Sequence, residues 1–221
     1  MHLANESASC AHVKMEGTSK KDRLPMKTLT VLGSTGSIGT HSLDVLRRNR
    51  ESYAVYALVA GRNTEQLATQ IAEFRPAVAV VATEAVRSRL CEQLTAINLP
   101  KTCWPELSWG RPAMIAAATS PQVDVVISAI VGVAGLEATF EAVCKGKRVG
   151  LANKEVLVAA GRLVMDAVSR YGAELLPIDS EHNGAHQCLR AGKPEEVHKL
   201  ILTASGGASH EDKNMPDPTA W

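Results

Sequence analysis

Three glycines spaced by three, Gly33, Gly36 and Gly39, follow a short apolar run and open an amphipathic one. A strand that turns into a helix through such a loop aims backbone N–H groups and the positive end of the helix dipole at one spot, and the occupant this favours is an anion, phosphate above all. A second group stands where the next apolar run ends, in Val59-Ala60-Gly61-Arg62-Asn63. A third is the polar cluster Asp179-Ser180-Glu181-His182-Asn183, preceded in sequence by Asn153-Lys154-Glu155. Carboxylates two residues apart on an extended backbone face the same way, which lets Asp179 and Glu181 meet one hard cation such as Mg²⁺ or Mn²⁺. The competing reading is a solvated loop or a helix N-cap. His182 and His186 are four apart, as on one helix face, but no glutamate lies between them as in a zinc protease helix. Local hydrogen bonding is their expected role.

The glycine spacing departs from the commoner Gly-x-Gly-x-x-Gly, so placement has to carry the reading. Here the loop follows the first strand of an alternating α/β pattern, the position of a dinucleotide-binding loop; a plain tight turn is the alternative. The end of the second strand selects the dinucleotide. A carboxylate there holds the ribose 2′-hydroxyl of NAD, whereas an arginine receives the 2′-phosphate of NADP. Arg62 and Asn63 are present and no carboxylate is, which favours NADPH. Lys154 lies where a strand gives way to a helix, the usual edge of a ligand crevice; a capping Asn153 beside an exposed Lys154 is the bland counterpart.

The elements that must position these groups follow from periodicity. Strands are expected at Thr28–Leu32, Ala54–Val59, Ala77–Val81, Val123–Ser128, Arg148–Leu151 and Glu174–Pro177. Helices are expected at Ile38–Arg48, Thr64–Phe74, Glu84–Leu94, Leu136–Lys145 and Lys154–Tyr171. This alternation specifies a doubly wound parallel sheet of Rossmann type. Ile97–Arg111, rich in proline, reads as a loop before another short helix. Residues 1–25 read as a disordered extension with Met26 as a candidate start, 26–176 as the nucleotide-binding domain, and 177–221 as the start of an incomplete α+β domain. That last part contains a helix to Arg190 and a strand over Lys199–Thr203.

At 45% hydrophobic the 221 residues can bury one full core, and a net charge of +1 offers no basic field for nucleic acid or anionic membrane. The expected partner is a small molecule. Five scattered cysteines without a Cys-x-x-Cys pair argue against a disulfide framework and a structural zinc, and for a reducing cytoplasm. No apolar stretch has the length of a membrane span.

The glycine loop, Ala60–Asn63, Ala129-Ile130-Val131-Gly132, Leu151–Glu155, Pro177–Asn183 and Leu202-Thr203-Ala204-Ser205-Gly206-Gly207 occur together in the order found in the 1-deoxy-D-xylulose 5-phosphate reductoisomerase family, which the chain resembles from Met26 to about Gly207. The resemblance implies an NADPH- and divalent-metal-dependent rearrangement and reduction of 1-deoxy-D-xylulose 5-phosphate to 2-C-methyl-D-erythritol 4-phosphate, in the non-mevalonate route to isoprenoids. It implies that Thr35, Gly36, Ser37, Ile38, Gly61, Arg62, Asn63, Asn153 and Glu155 hold NADPH. Asp179 and Glu181 would bind Mn²⁺ or Mg²⁺, and Lys154, Ser180 and Ser205 would contact the sugar phosphate. A homodimer is implied for the full-length family.

After Gly207 the sequence departs from the family, which continues with proline and an aromatic residue where Ala208-Ser209-His210 stand here. The expectation is a truncated or frameshifted chain that binds NADPH without turning over. Two rivals remain: another NADPH-dependent reductase, such as a semialdehyde dehydrogenase relative, and a non-catalytic nucleotide-binding fragment. The first needs an activated cysteine nucleophile, and no cysteine here has such surroundings in sequence.

Overall fold

The computed structural model describes residues 25–201. Seven strands form one sheet in the order β4-β3-β2-β1-β5-β6-β7, every pair parallel. They are β1 Lys27–Leu32, β2 Tyr53–Val59, β3 Val78–Val81, β4 Glu106–Trp109, β5 Val125–Ser128, β6 Arg148–Leu151 and β7 Glu174–Pro177. The helices are α1 Ser37–Arg48, α2 Thr64–Phe74, α3 Glu84–Ala96, α4 Gly110–Thr119, α5 Leu136–Cys144, α6 Glu155–Tyr171 and α7 Ser180–Arg190. No helix among the described residues is long and apolar enough to cross a membrane.

The central strands β1, β2 and β3 are largely buried on both faces, and their side chains serve two cores in turn. Val31 and Leu58 point into a core with Leu43 and Leu46 of α1, Leu67 and Ile71 of α2, and Leu90 and Leu94 of α3. Leu32 and Val59, one residue on, enter the opposite core. That second layer is made with small residues, Ala117 and Ala118 of α4 and Ala138 and Ala142 of α5. They let α4 and α5 lie close together as α4 carries the chain from the β4 edge back to β5. Thr30 is fully buried in the middle of the sheet, and its hydroxyl donates to the Ala117 carbonyl at 2.7 Å.

The six expected strands are all present, with ends shifted by two residues at most. The expected loop over Ile97–Arg111 is corrected. It contains a 3₁₀ turn at Lys101–Cys103, the edge strand β4, and the first residues of α4. β4 has a neighbour on one side only and its side chains are exposed or half-buried, so the apolar run that marks a central strand is missing. Of the expected strand over Lys199–Thr203, the described residues 199–201 are not extended in a sheet. Leu200 and Ile201 are exposed. Residues 1–24 of the expected extension, and Ser205 with the 202–207 motif, lie outside the described residues.

The order reverses between β1 and β5. Connections after β1 run toward β2, β3 and β4, and those after β5 run toward β6 and β7. A crevice therefore opens over the carboxyl ends of β1 and β5, where doubly wound sheets hold their ligands.

Candidate functional site

The glycine loop lies at that crevice. The N–H groups of Gly33 and Ser34 both donate to the Val59 carbonyl, at 2.8 and 2.9 Å, which ties the loop to the end of β2. Gly33 has φ +84°, and a Cβ on it would stand 2.5 Å from the Ala129 carbonyl oxygen beyond β5. A Cβ on Gly39 would stand 2.1 Å from the Gly33 carbonyl oxygen. These two glycines are demanded by close packing of α1 and β5 against the loop. Gly36 differs: its Cβ would meet protein only at 3.4 Å, so the space beside it is open. As the N-cap of α1 it brings no side-chain acceptor, which leaves the first-turn N–H groups without a cap. Thr35, Ser37 and Ile38 surround this opening, with Ser37 and Ile38 exposed.

A groove of about 660 Å³ extends from the loop, lined by Gly33, Gly36, Gly61, Ala129, Arg111 and Glu137 among others. Arg62 and Asn63 follow Gly61 and are exposed. Asn63 is the N-cap of α2. Its Oδ1 accepts from the Gln66 N–H at 3.2 Å and its Nδ2 donates to Gln66 Oε1 at 2.9 Å, so part of its capacity serves the helix. Gly61 and Ala82 both line the groove, and the Ala82 N–H donates to the Gly61 carbonyl at 3.2 Å, so Arg62 follows directly on the groove's lining in sequence.

The bland alternative of a capping Asn153 does not hold, since Lys154 is the N-cap of α6. Asn153 is buried, and its Nδ2 donates to the Ile130 and Gly132 carbonyls, joining the end of β6 to the segment after β5. Its Oδ1 is buried without a partner. A buried acceptor left unpaired is costly, and a donor brought by a ligand in the groove would satisfy it. Asn153→Ala removes both amide bonds and is expected to lower the unfolding free energy by about 1–3 kcal/mol. Urea unfolding followed by circular dichroism measures this, and an unchanged midpoint would refute the bridging role.

Lys154 and Glu155 are exposed, Lys154 as the N-cap of α6 and Glu155 in its first turn. The pairing of Leu151 with Pro177 sets Lys154 next to the start of α7. The charge of Lys154 helps hold the Glu181 carboxyl below its ordinary range, after the hydrogen bonds from Glu181's own backbone N–H and from Ser180. Here the extended arrangement expected for Asp179 and Glu181 is corrected. Asp179 is the N-cap of α7, and Glu181 is the second residue of the helix. Burial pushes the Asp179 carboxyl up, but the backbone N–H and ring of His182 outweigh it and hold it low. Asp179 Oδ1 lies 2.9 Å from His182 N and 2.8 Å from His182 Nδ1. Capping thus draws both carboxylates to one helix start by a route other than strand alternation. His182 makes the expected local bond, whereas His186 Nε2 is buried without one. Among the described residues no group of three histidine, cysteine, aspartate or glutamate side chains could hold a metal ion.

Sequence reading missed Arg111, Glu137, Met114 and Gln70. The first three line the groove, and Gln70 Nε2 donates from α2 to the Ser34 carbonyl at 2.9 Å, bracing the glycine loop from behind. The junction at Arg111 was hidden because β4 was hidden. Only the pair Trp109-Gly110, an aromatic residue before a glycine at φ +81°, marked a strand end there.

The family model for 1-deoxy-D-xylulose 5-phosphate reductoisomerase matches residues 29–161, and the model for the C-terminal domain of that enzyme matches residues 175–216. A 1-deoxy-D-xylulose 5-phosphate reductoisomerase of Solibacter usitatus is 68% identical over 182 residues, covering 82% of this chain and 46% of the relative. One from Janthinobacterium sp. (strain Marseille) is 45% identical over 202 residues, covering 89% of this chain and 51% of the relative. The chain spans about half the length of the curated relatives it matches. Among solved structures, the Zymomonas mobilis reductoisomerase in complex with NADPH superposes with a TM-score of 0.69 at 43% identity, covering 76% of this chain and 42% of that one. A reductoisomerase in complex with NADPH, fosmidomycin and magnesium gives 0.68 at 38% identity, with coverage of 74% and 39%.

Proposed function

The chain belongs to the 1-deoxy-D-xylulose 5-phosphate reductoisomerase family, and on that premise we propose that it supplies the NADPH-binding domain and the first catalytic residues of an enzyme converting 1-deoxy-D-xylulose 5-phosphate to 2-C-methyl-D-erythritol 4-phosphate. The observation that carries this reading is one groove at the switch point, lined by Gly33, Gly36 and Ile130, where the start of α1 carries no side-chain cap, the face of Gly36 is open and the buried Asn153 amide holds the Ile130 carbonyl.

The groove's residues fit a phosphorylated dinucleotide. First-turn N–H groups at Ser37 and Ile38, with Thr35 and Gly36, receive the diphosphate; Gly61, Arg62 and Asn63 receive the ribose 2′-phosphate. Asn153 and Glu155 stand at the other side of the switch point for the nicotinamide half. When bound, NADPH supplies the hydride and the divalent ion supplies Lewis-acid polarisation of the substrate's oxygens. Asp179 and Glu181 are hard oxygen donors suited to Mg²⁺ or Mn²⁺ and would hold that ion. Lys154, with Ser180 and Ser205, would bind and orient the sugar phosphate, the lysine offering a charge to it beside the metal carboxylates.

The same reading divides the chain into a cofactor domain over 26–176 and the beginning of a catalytic domain from 177, supported by the separate family matches to either side of residue 174. Its working compartment is the cytoplasm and the assembled enzyme is a homodimer. A net charge of +1 suits a small anionic substrate better than nucleic acid or a membrane surface. The test is NADPH oxidation with 1-deoxy-D-xylulose 5-phosphate, with and without Mg²⁺ or Mn²⁺. It is run on this chain and on one completed with the remaining half of the Solibacter relative. The expected result is NADPH binding by both and metal-dependent turnover by the completed chain. A completed chain that binds NADPH and never oxidises it would refute the proposal.

A further inference from the structure

The groove has a charged rim that no role above absorbs. Arg111 leaves the first turn of α4 beyond β4, at one edge of the sheet; Glu137 leaves the first turn of α5, beyond β5 on the far side of β1. Their side chains meet as an ion pair, Arg111 Nε against Glu137 Oε2, and both line the groove. This one contact spans the stretch of sheet that carries the ends of β3, β2 and β1. Its geometry is that of a charge contact alone, since Glu137 Oε2 is buried and no hydrogen-bond donor is aimed at it.

Two considerations give the pair a function. A carboxylate on the wall of a groove built for phosphates repels the ligand unless a cation neutralises it. Arg111 is that cation, and with a side chain 69% exposed it keeps most of its guanidinium available to something else. The second consideration is position. β4 lies two strands from β2, so Arg111 stands on the order of 10 Å along the sheet edge from Arg62, at about 4.8 Å per strand. That is the reach from a ribose 2′-phosphate across an adenine ring. The floor in between is apolar, formed by Val80, Val81 and Met114, and suits the flat face of a purine.

We propose that Arg111 is a further cofactor-binding residue that lies against the adenosine half of NADPH, and that Glu137 is a positioning residue that holds its guanidinium at the rim. The inference rests on the cofactor reading above. A guanidinium stacks on a purine and donates to its phosphates, which a lysine does only in part.

The test is fluorescence titration of the whole chain with NADPH, and competition with 2′-phospho-AMP and with reduced nicotinamide mononucleotide. The variants are Arg111→Ala, Arg111→Lys, Glu137→Gln and the double variant Arg111→Ala/Glu137→Gln. Arg111→Ala is expected to weaken NADPH and 2′-phospho-AMP alike, by about tenfold or more, and to leave the mononucleotide unchanged. Arg111→Lys recovers part of the loss. The double variant binds more tightly than Arg111→Ala, because the unpaired carboxylate is gone. Additive losses in the double variant would refute the pairing, and equal losses for both fragments would refute the adenosine placement. If Arg111→Ala binds as the unaltered chain does, the inference alone falls. If the unaltered chain binds neither NADPH nor 2′-phospho-AMP, the cofactor reading falls and takes the inference with it.

Discussion

Gly39→Ala is expected to raise the dissociation constant for NADPH by about a hundredfold and to lower the unfolding free energy by about 1–3 kcal/mol. The added Cβ would sit 2.1 Å from the Gly33 carbonyl oxygen and 2.7 Å from the Ser34 Cα. Both are backbone atoms, so no rotamer change relieves the overlap, and either α1 or the loop must move. The loop has little freedom, because Gly33 is wedged against Ala129 and the N–H groups of Gly33 and Ser34 each donate to the Val59 carbonyl. α1 must therefore slide along the sheet, carrying with it the first-turn N–H groups proposed to receive the diphosphate. Gly36→Ala supplies the contrast: its Cβ meets only ordinary contact at 3.4 Å, so the fold survives while the methyl group fills the space meant for phosphate oxygens. Urea unfolding and NADPH titration of both variants separate the two effects. A Gly39→Ala protein with unaltered stability would refute the packing argument.

Arg62→Ala is expected to weaken NADPH by about tenfold to a hundredfold and to leave NADH binding unchanged, which removes the preference between them. The basis is the absence of a carboxylate at the end of β2, where NAD sites need one, together with the exposure of Arg62 beside Gly61. Asn63, already capping α2, cannot replace the lost charge. Equal use of NADPH and NADH by the unaltered chain, or a preference that survives the substitution, would refute the assignment.

The central strands were legible because burial on both faces leaves an unbroken apolar signature, as in Thr28–Leu32 and Ala54–Val59. β4 was not, because an edge strand half open to water has no reason to carry one. That omission spread to the site. Without β4 there was no junction at Gly110, and the Arg111–Glu137 contact, made by residues 26 apart in sequence, had no visible cause. The glycine loop was legible because its three glycines fall within seven residues of sequence, although the partners that constrain it, Ala129, Val59 and Gln70, lie far along the chain. For Asn153 the bland capping alternative failed, and its bridging bonds could not be read from sequence. Its partners, Ile130 and Gly132, come from the neighbouring strand's end, and only the register of β5 with β6 brings them within reach. Asp179 and Glu181 stand at a helix start rather than on an extended backbone, because a capping aspartate and a strand aspartate look alike in sequence.

A sheet of parallel pairs contains no hairpin, so none of its seven strands can be joined to the next by a tight turn. The seam between β1 and β5 closes last in this sense: it joins residues nearly a hundred apart, Leu29 with Val125, only after α4 has crossed back over three strands. Parallel contacts at such separation form slowly and expose strand edges meanwhile. The groove straddles that seam, so a dinucleotide bound there engages both sides of a contact between strands nearly a hundred residues apart. Each tenfold excess of ligand over its dissociation constant then adds about 1.4 kcal/mol to the closed state. On the proposed reading, NADPH is expected to lengthen the time the chain resists proteolysis, which limited digestion with and without the cofactor measures.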